Sequence, residues 1–145
     1  NAPFIAKKRG IEAKEIKSSD AGEYTSLIRI HVQAGSQSHR LAGTLYHKKD
    51  PRIVESNAYP VEVIPEGFML MIYNKDRPGV IGTVGRVLGG QNVNIARMQC
   101  ARSEKGENAL LIIGLDDSPS PKIIETLKQE EDILSVRLVD LTQVQ

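Results

Sequence analysis

A polar stretch that follows an apolar run has the residue types of a small-molecule site. The run FMLMI at residues 68–72 is followed by YNKDRPGVIG at residues 73–82. The N–H groups at the start of a helix lack intrahelical partners and carry about half a positive charge, which attracts carboxylates. Gly79 would let a ligand approach this backbone, and Asp76 could accept hydrogen bonds from an ammonium group. The two groups together describe an amino acid; the alternative is an ordinary helix cap made by Asp76 and Pro78.

A second candidate is Asn94, in the stretch QNVNIARMQCAR at residues 91–102. The apolar positions change phase between Ile95 and Ala96, which predicts a bulge or twist in a strand. Asn94 would then stand at the start of an edge strand, where it could reach a ligand held by the turn of another chain. The alternative is a solvated asparagine at a sheet edge.

Three glycines interrupt the helical pattern after the polar turn: Gly82, Gly85 and Gly89. Each costs about 1 kcal/mol relative to Ala inside a helix, so each needs a reason. Room for a ligand is the hypothesis for Gly82, and close packing against the sheet or a neighbouring subunit is the expectation for Gly85. Cys100 is expected to be a buried, unreactive strand residue.

Basic residues gather around two turns in the first half of the chain and suit a phosphate or carboxylate anchor. They are His39, Arg40, His47, Lys48, Lys49 and Arg52. Arg52 is the best single candidate, with Lys49 and His47 beside it. The alternative is a solvated turn that protects an edge strand, which we favour for the two lysines. Arg97 and Arg102 in the second half are expected to be solvated or interfacial.

The chain contains two regions with different hydrophobic patterns, and these must position the candidate residues. Pro and Gly in the sequence IPEG, residues 64–67, separate the two regions. The first region reads α-β-β-β-β, with a helix over 3–9 and strands that include 28–32, 41–46 and 61–64. The second reads β-α-β-β-α-β, with strands over 68–73, 93–102, 109–115 and 134–138. Its helices begin near 78 and 118, and a turn is predicted at 104–107.

Strand composition predicts the sheet order of the second region. The strands over 68–73 and 109–115 are apolar on both faces and suit the centre of a sheet, whereas the other two mix polar and apolar residues. This is the ferredoxin-like arrangement, with both helices on one face. The opposite face then needs a cover from a partner subunit or another domain. We predict an α+β protein: a mixed α/β domain over 1–65 and a ferredoxin-like βαββαβ domain over 66–145.

The composition excludes several classes of function. The 145 residues include 19 basic and 18 acidic side chains, a formal net charge of +1 that argues against nucleic-acid and membrane partners. A single cysteine excludes a disulfide framework or an iron–sulfur cluster carried by this chain alone, and it favours a reducing, cytoplasmic setting. The histidine spacing predicts no metal site. The chain begins at Asn1 without Met, so we expect a fragment of a longer protein.

The residues also match a known family. The stretch DRPGVIGTVGRVLGGQNVNIARMQCAR resembles the ACT domain, a small regulatory module that binds amino acids, and the resemblance covers residues 66–141. From NAPFIAKKRGI through AGTLYHKKDPRIVESNAYPVEVIPEGFMLMI, the whole chain resembles the C-terminal regulatory region of long-form D-3-phosphoglycerate dehydrogenases. In that family an allosteric substrate-binding, or intervening, domain precedes the ACT domain. Residues 1–65 would be this domain, truncated at its N-terminus.

The resemblance implies a parent enzyme that oxidises 3-phosphoglycerate with NAD in the first step of L-serine biosynthesis, with its catalytic domains elsewhere on the parent chain. This chain has no G-x-G-x-x-G motif that opens a helix, so we expect no cofactor and no catalytic residue in it. The feedback inhibitor L-serine would bind between two ACT domains of a homo-oligomer. The residues implied are Asn74, Asp76, Gly79, Val80 and Ile81 on one subunit and Asn94 on the other. Asn74 stands where relatives often have an imidazole or phenol.

The resemblance also implies an anion site in the intervening domain, for phosphate or 3-phosphoglycerate. Carried over, Arg52 would be its main residue, with Lys49 and His47. Ile64 and Gly114 stand where some relatives carry further arginines, so this site is expected to be incomplete or built differently.

Three other functions fit parts of the pattern. One is a free-standing ACT sensor for another amino acid, and another is a pure oligomerisation module. The third is the β-portion of an iron–sulfur serine dehydratase, which would need cluster-binding cysteines that the sequence does not have.

Overall fold

The computed structural model describes residues 1–102 and 107–143, which form three helices and eight strands. In chain order the elements are α1 (Ala2–Lys8), β1 (Ile28–Ala34), β2 (Gln37–Tyr46), β3 (Asp50–Ser56), β4 (Tyr59–Val63), β5 (Phe68–Lys75), α2 (Val80–Gly89), β6 (Ile95–Arg102), β7 (Asn108–Leu115), α3 (Pro121–Lys128) and β8 (Ile133–Asp140). Among the helices of these described ranges, none combines the length and apolar character needed to cross a membrane.

The first sheet is an antiparallel meander in the order β1-β2-β3-β4. Its turns are tight because residues at them adopt positive φ: Gly35 at 57° between β1 and β2, and Asn57 at 55° between β3 and β4. Strand β1 forms one edge, and all seven of its residues are exposed. Helix α1 has no buried residue. The core of this region therefore lies towards β3 and β4.

The second sheet has the order β6-β7-β5-β8, with all pairings antiparallel. Strands β5 and β7 are central and β6 and β8 are the edges, as the strand composition predicts. Helices α2 and α3 pack on one face over a core that includes Leu70, Ile72, Val84, Leu111 and Leu127, all fully buried. The α+β class and the ferredoxin-like arrangement of the second region are thereby confirmed.

Strands β3 and β4 cover part of the opposite face of the second sheet. Val61 on β4 packs against Leu110 and Ile112 of β7, together with the half-buried Met71 and Tyr73 of β5. The Gln99 side chain of β6 accepts a hydrogen bond of 2.8 Å from the backbone N–H of Glu62. The apolar face that requires a cover is thus shielded by the first region of the same chain.

Both edge strands of the second sheet contain a register irregularity. On β6 the pairing passes from Ile95 to Arg97, so Ala96 is the extra residue and the predicted bulge is confirmed. On β8 the pairing passes from Ser135 to Ile133, and the skipped Leu134 is 51% exposed instead of facing the core as the alternation predicts. A bulge reverses the phase of the side chains beyond it, which a simple alternation misses.

Other expectations need correction. Cys100 is exposed, not buried, because edge strand β6 leaves its far side uncovered. Gly79 is the N-cap of α2, so Pro78 precedes the helix instead of lying in its first turn. Added Cβ atoms at Gly82, Gly85 and Gly89 would meet no described atom within 4 Å outside the backbone of their own helix, so Gly85 does not pack closely against the sheet, and its packing against a neighbouring subunit stays a prediction. The turn predicted at 104–107 falls mostly outside the described residues.

Candidate functional site

Asn74 carries a buried polar atom for which the described chain supplies no partner. It lies near the end of β5 on the face shared by Leu70 and Ile72, and it is 3% exposed. Its Nδ2 donates a hydrogen bond of 2.7 Å to the backbone carbonyl of Lys75, whereas Oδ1 has no hydrogen-bond partner among the described residues. A buried acceptor without a donor costs free energy, and such exceptions commonly mark functional positions. Asn74 Oδ1 is therefore suited to accept a hydrogen bond from a ligand.

The first turn of α2 has no side-chain cap from the described residues. Its N-cap, Gly79, has φ 96° and ψ −22°, a conformation that residues with a Cβ rarely adopt. The carbonyl of Gly79 accepts the first intrahelical hydrogen bond from Thr83 N, at 2.9 Å. The preceding N–H groups, including those of Val80 and Ile81, have no intrahelical acceptor by the geometry of a helix. They present donors and a partial positive charge to an anion.

A concave surface of about 240 Å³ lies at this helix start, lined on its far side by the acidic loop 130–133. Two cations of the polar turn neutralise part of that loop. Lys75 Nζ lies 3.4 Å and Arg77 Nη1 3.2 Å from Asp132 Oδ1. Lys75 and Arg77 are therefore engaged with the protein itself.

Asp76 is held between two neighbouring strands. Its backbone N–H donates to the carbonyl of Glu107 at 3.0 Å, beside the start of β7. Its Oδ2 accepts a hydrogen bond of 3.3 Å from Arg102 Nη1, at the end of β6. Burial and the Asp76 carboxylate raise the pKa of the Cys100 thiol, and the Arg102 guanidinium acts in the opposite direction. The expectation that Arg102 is merely solvated or interfacial missed this contact, because it arises only across β7.

Asn94 lies at the opposite end of the sheet from the polar turn. Ile95 pairs with Leu115, whereas Arg102 pairs with Ala109, which is also the partner of Asn74. Seven residues of strand separate the two ends, roughly 20–25 Å. The Asn94 side chain donates a hydrogen bond of 2.6 Å to Asp116 Oδ2. Within one chain Asn94 does not join Asn74 and Asp76.

The residues expected to bind an anion are separated by the structure. Arg52 lines a cleft of about 380 Å³ between the two sheets, and its guanidinium carbon lies 5.5 Å from the centroid of the Tyr46 ring. His47 and Lys49 are exposed at the turn between β2 and β3, outside the lining of that cleft. Of the three, Arg52 is therefore the one that lines the cleft, and it does so beside Tyr46, the last residue of β2 before the turn.

Arg97 supplies a second guanidinium to the same cleft, with its side chain 56% exposed. It pairs with the Glu66 carboxylate and lies directly across from Gly114, whose ideal Cβ would be 3.7 Å from its own. Ile64, Glu62 and Gln99 also line the cleft. Gly114, where some relatives are expected to carry an arginine, thus has the arginine Arg97 opposite it on the neighbouring strand. Only the pairing register could have revealed this.

Comparisons with known proteins extend over both regions. The family model of the D-3-phosphoglycerate dehydrogenase intervening domain matches residues 1–57, and that of the ACT domain matches residues 68–132. The D-3-phosphoglycerate dehydrogenase of Bacillus subtilis is 38% identical over 141 residues, which are 97% of this chain and 27% of that protein. That of Methanocaldococcus jannaschii is 36% identical over 141 residues, which are 97% of this chain and 26% of that protein. The chain thus spans about a quarter of the length of these relatives.

Proposed function

The chain joins a D-3-phosphoglycerate dehydrogenase intervening domain to an ACT domain and corresponds to the C-terminal regulatory region of those enzymes, and from this premise we propose that it is a feedback sensor for L-serine. The observation that carries the proposal is the buried, unpartnered Oδ1 of Asn74 beside the uncapped start of α2. The choice of serine rests on the family resemblance. The division into domains at 65/66 belongs to the same proposal.

The ligand's two charged groups would find complementary partners at the polar turn. Asn74 Oδ1 and the Asp76 carboxylate accept hydrogen bonds from the ammonium group, which is a donor only. The N–H groups after Gly79, on Val80 and Ile81, face the carboxylate. Gly79 and Val80 also line the concave surface at the helix start, which leaves this part of the backbone open to a ligand.

The site would be completed by a second copy through edge strand β6. Antiparallel pairing of β6 with its symmetry mate places the first residues of one strand beside the last residues of the other. Asn94 of the partner subunit would then lie near Asp76 and Arg102. This ACT–ACT arrangement accounts for the separation of Asn94 from the turn within one chain.

A second candidate function is anion binding in the cleft between the sheets. Arg52 and Arg97 offer two guanidinium groups there, which suit phosphate or the phosphate and carboxylate of 3-phosphoglycerate. Glu66 and Glu62 on the same cleft oppose binding, since an anion must replace Glu66 at Arg97. His47 and Lys49 would contribute only long-range attraction.

The parent protein would be an NAD-dependent oxidoreductase of the cytoplasm, with this chain regulating it instead of catalysing. All strand pairs among the described residues are antiparallel. Dinucleotides bind at the carboxyl ends of a parallel sheet, so the described residues do not fit NAD. The cofactor and 3-phosphoglycerate oxidation would belong to the catalytic domains of the parent chain.

Calorimetric titration of the 145-residue chain with L-serine tests the proposal, with glycine, D-serine and L-phenylalanine as comparisons. We expect saturable binding selective for L-serine, abolished by Asp76→Asn. Asp140→Asn is the matched control, because Asp140 is an exposed carboxylate at the other end of β5 and β8. Selective binding of another amino acid would favour a free-standing sensor. A stable dimer that binds none of the four would leave an oligomerisation module.

A further inference from the structure

We propose that Arg102 and Asp76 form a clamp that opens for a zwitterion, with Arg102 binding the carboxylate of the ligand and Asp76 its ammonium group. This inference rests on the proposed amino-acid site and adds a residue to it. Arg102 comes from β6, two strands away from the polar turn, and no sequence motif connects it to that turn.

The two side chains meet on the face that holds the buried acceptor. Along β6, Met98 packs against the core beneath the helices, and alternation places Arg102 on the same face. Asn74 belongs to that face as well, in register with Arg102 through Ala109. Guanidinium, carboxylate and unpartnered amide oxygen are therefore collected at one end of one sheet face.

The Asp76–Arg102 ion pair has the geometry of a weak interaction that a ligand can displace. It consists of one hydrogen bond of 3.3 Å, not the bidentate fork that Arg and carboxylate can form. The Arg102 side chain is 58% exposed and that of Asp76 24% exposed, so water and a ligand reach the guanidinium more easily than the carboxylate. Exposed single-contact pairs of this kind hold their partners weakly.

A zwitterion exchanges this single pair for two. Its carboxylate binds the Arg102 guanidinium in addition to the N–H groups of Val80 and Ile81, and its ammonium group binds the Asp76 carboxylate, with Asn74 Oδ1 as a further acceptor. A ligand that has only the ammonium group must displace Arg102 from Asp76 without replacing its counter-charge. The clamp therefore selects α-amino acids against amines of the same shape.

The neighbouring thiol does not compete for these charges. Burial and Asp76 raise the pKa of Cys100, which keeps the thiol neutral beside the clamp. Lys75 and Arg77, the other cations near the turn, are engaged by Asp132. Arg102, at the same end of the sheet, is in direct contact with Asp76.

The test compares L-serine with L-serinamide, which keeps the ammonium and hydroxyl groups but has no carboxylate. Both are titrated into the unaltered chain and into Arg102→Gln, with Arg102→Lys as the conservative variant. Arg86→Gln is the matched control, since Arg86 makes a single contact of 3.3 Å with Glu130 and is 70% exposed. Circular dichroism of each variant verifies folding.

We expect Arg102→Gln to weaken L-serine binding about tenfold or more, to leave L-serinamide unchanged or tighter, and Arg102→Lys to restore part of the loss. Arg86→Gln should bind both as the unaltered chain does. Equal losses for the two ligands, or undiminished L-serine binding by Arg102→Gln, would overturn the clamp and leave the amino-acid site standing. An unaltered chain that binds no amino acid would remove both.

Discussion

The side-chain amide of Asn57 donates a hydrogen bond of 2.9 Å to the hydroxyl of Tyr73, and so the turn between β3 and β4 is tied to the strand that carries Asn74. Asn57 makes two hydrogen bonds with the backbone of Arg40. Its Oδ1 accepts from the Arg40 N–H at 3.0 Å, and its own backbone N–H donates to the Arg40 carbonyl at 2.8 Å. The Tyr73 ring packs edge-on against Tyr59, with centroids 5.8 Å apart. The two sheets are thus joined by a directed polar contact as well as by apolar packing.

The first prediction concerns this joint. Tyr73→Phe removes one hydrogen bond and should lower the free energy of unfolding by about 1 kcal/mol. Asn57→Gly removes the same bond, together with the bond that Asn57 Oδ1 accepts from Arg40, and keeps the positive φ of the turn. Because both changes delete one interaction, their costs in the double variant should fall short of additivity by about 0.5–1.5 kcal/mol, measured by urea unfolding.

Tyr24→Phe is the control for that cycle, since the hydroxyl of Tyr24 has no hydrogen bond to the described residues. It should leave the unfolding midpoint unchanged. Strict additivity of the two costs would mean that the Asn57–Tyr73 bond contributes nothing in solution.

A second prediction follows from the unpartnered oxygen of Asn74. Asn74→Leu removes a buried acceptor that lacks a donor, and the Lys75 carbonyl, which loses the Asn74 amide, keeps the Arg77 N–H at 2.9 Å. The free energy of unfolding of the free chain should therefore stay within about 1 kcal/mol of the original or rise. Amino-acid binding should be lost in the same variant. Urea unfolding and calorimetry on one preparation measure the two quantities.

The comparison for that variant is Thr44→Val. Thr44 is also buried, but its hydroxyl donates to the carbonyl of Ser26 at 2.5 Å, so its removal leaves a carbonyl without its partner. This change should cost about 1–2 kcal/mol and leave amino-acid binding intact. If Asn74→Leu were as costly as Thr44→Val, Asn74 would be a structural residue.

Much of this architecture can be predicted from local patterns. The apolar runs of β5 and β7 identify them as central strands, and the phase change after Ile95 identifies the bulge on β6, because both signals lie within one strand. The contacts Arg102–Asp76, Arg97 beside Gly114, and Asn57–Tyr73 depend on register and on the docking of two sheets. Because each of these contacts joins residues that are far apart in sequence, no local sequence pattern predicts it.

The third prediction separates the anion cleft from the nearby basic turn. Arg52→Ala should weaken binding of phosphate and 3-phosphoglycerate about tenfold or more, because Arg52 lines the cleft. Lys49→Ala should change it little, because Lys49 lies at an exposed turn. Titration with each anion measures the effect, and L-serine binding should survive both changes. An equal loss of serine binding would contradict two separate sites.

The fourth prediction uses the single cysteine as a reporter of the Asp76–Arg102 pair. Arg102 opposes the rise in the pKa of Cys100 that burial and Asp76 cause. Arg102→Gln should therefore raise that pKa further and reduce the thiolate fraction, so alkylation at a fixed alkaline pH becomes slower. Asp76→Asn should lower the pKa and make alkylation faster.

Rates of iodoacetamide labelling across the neutral to alkaline range give the pKa of Cys100 in each variant. Arg86→Gln should match the unaltered chain, since it changes a surface charge that is not among the causes of the shift. Identical profiles for Arg102→Gln and Asp76→Asn would show that the thiol does not sense the pair.

The three glycines of α2 have a consequence for motion. No described atom lies close enough to their outer side to pack against an added Cβ, and each weakens the helix by about 1 kcal/mol relative to Ala. What holds α2 is its buried face of Val80, Val84, Val87 and Leu88. Its amides should exchange with solvent through local opening at a lower free energy than those of β5 and β7. A ligand bound at the first turn of α2 should therefore rigidify a helix that opens more readily than the central strands of its own sheet.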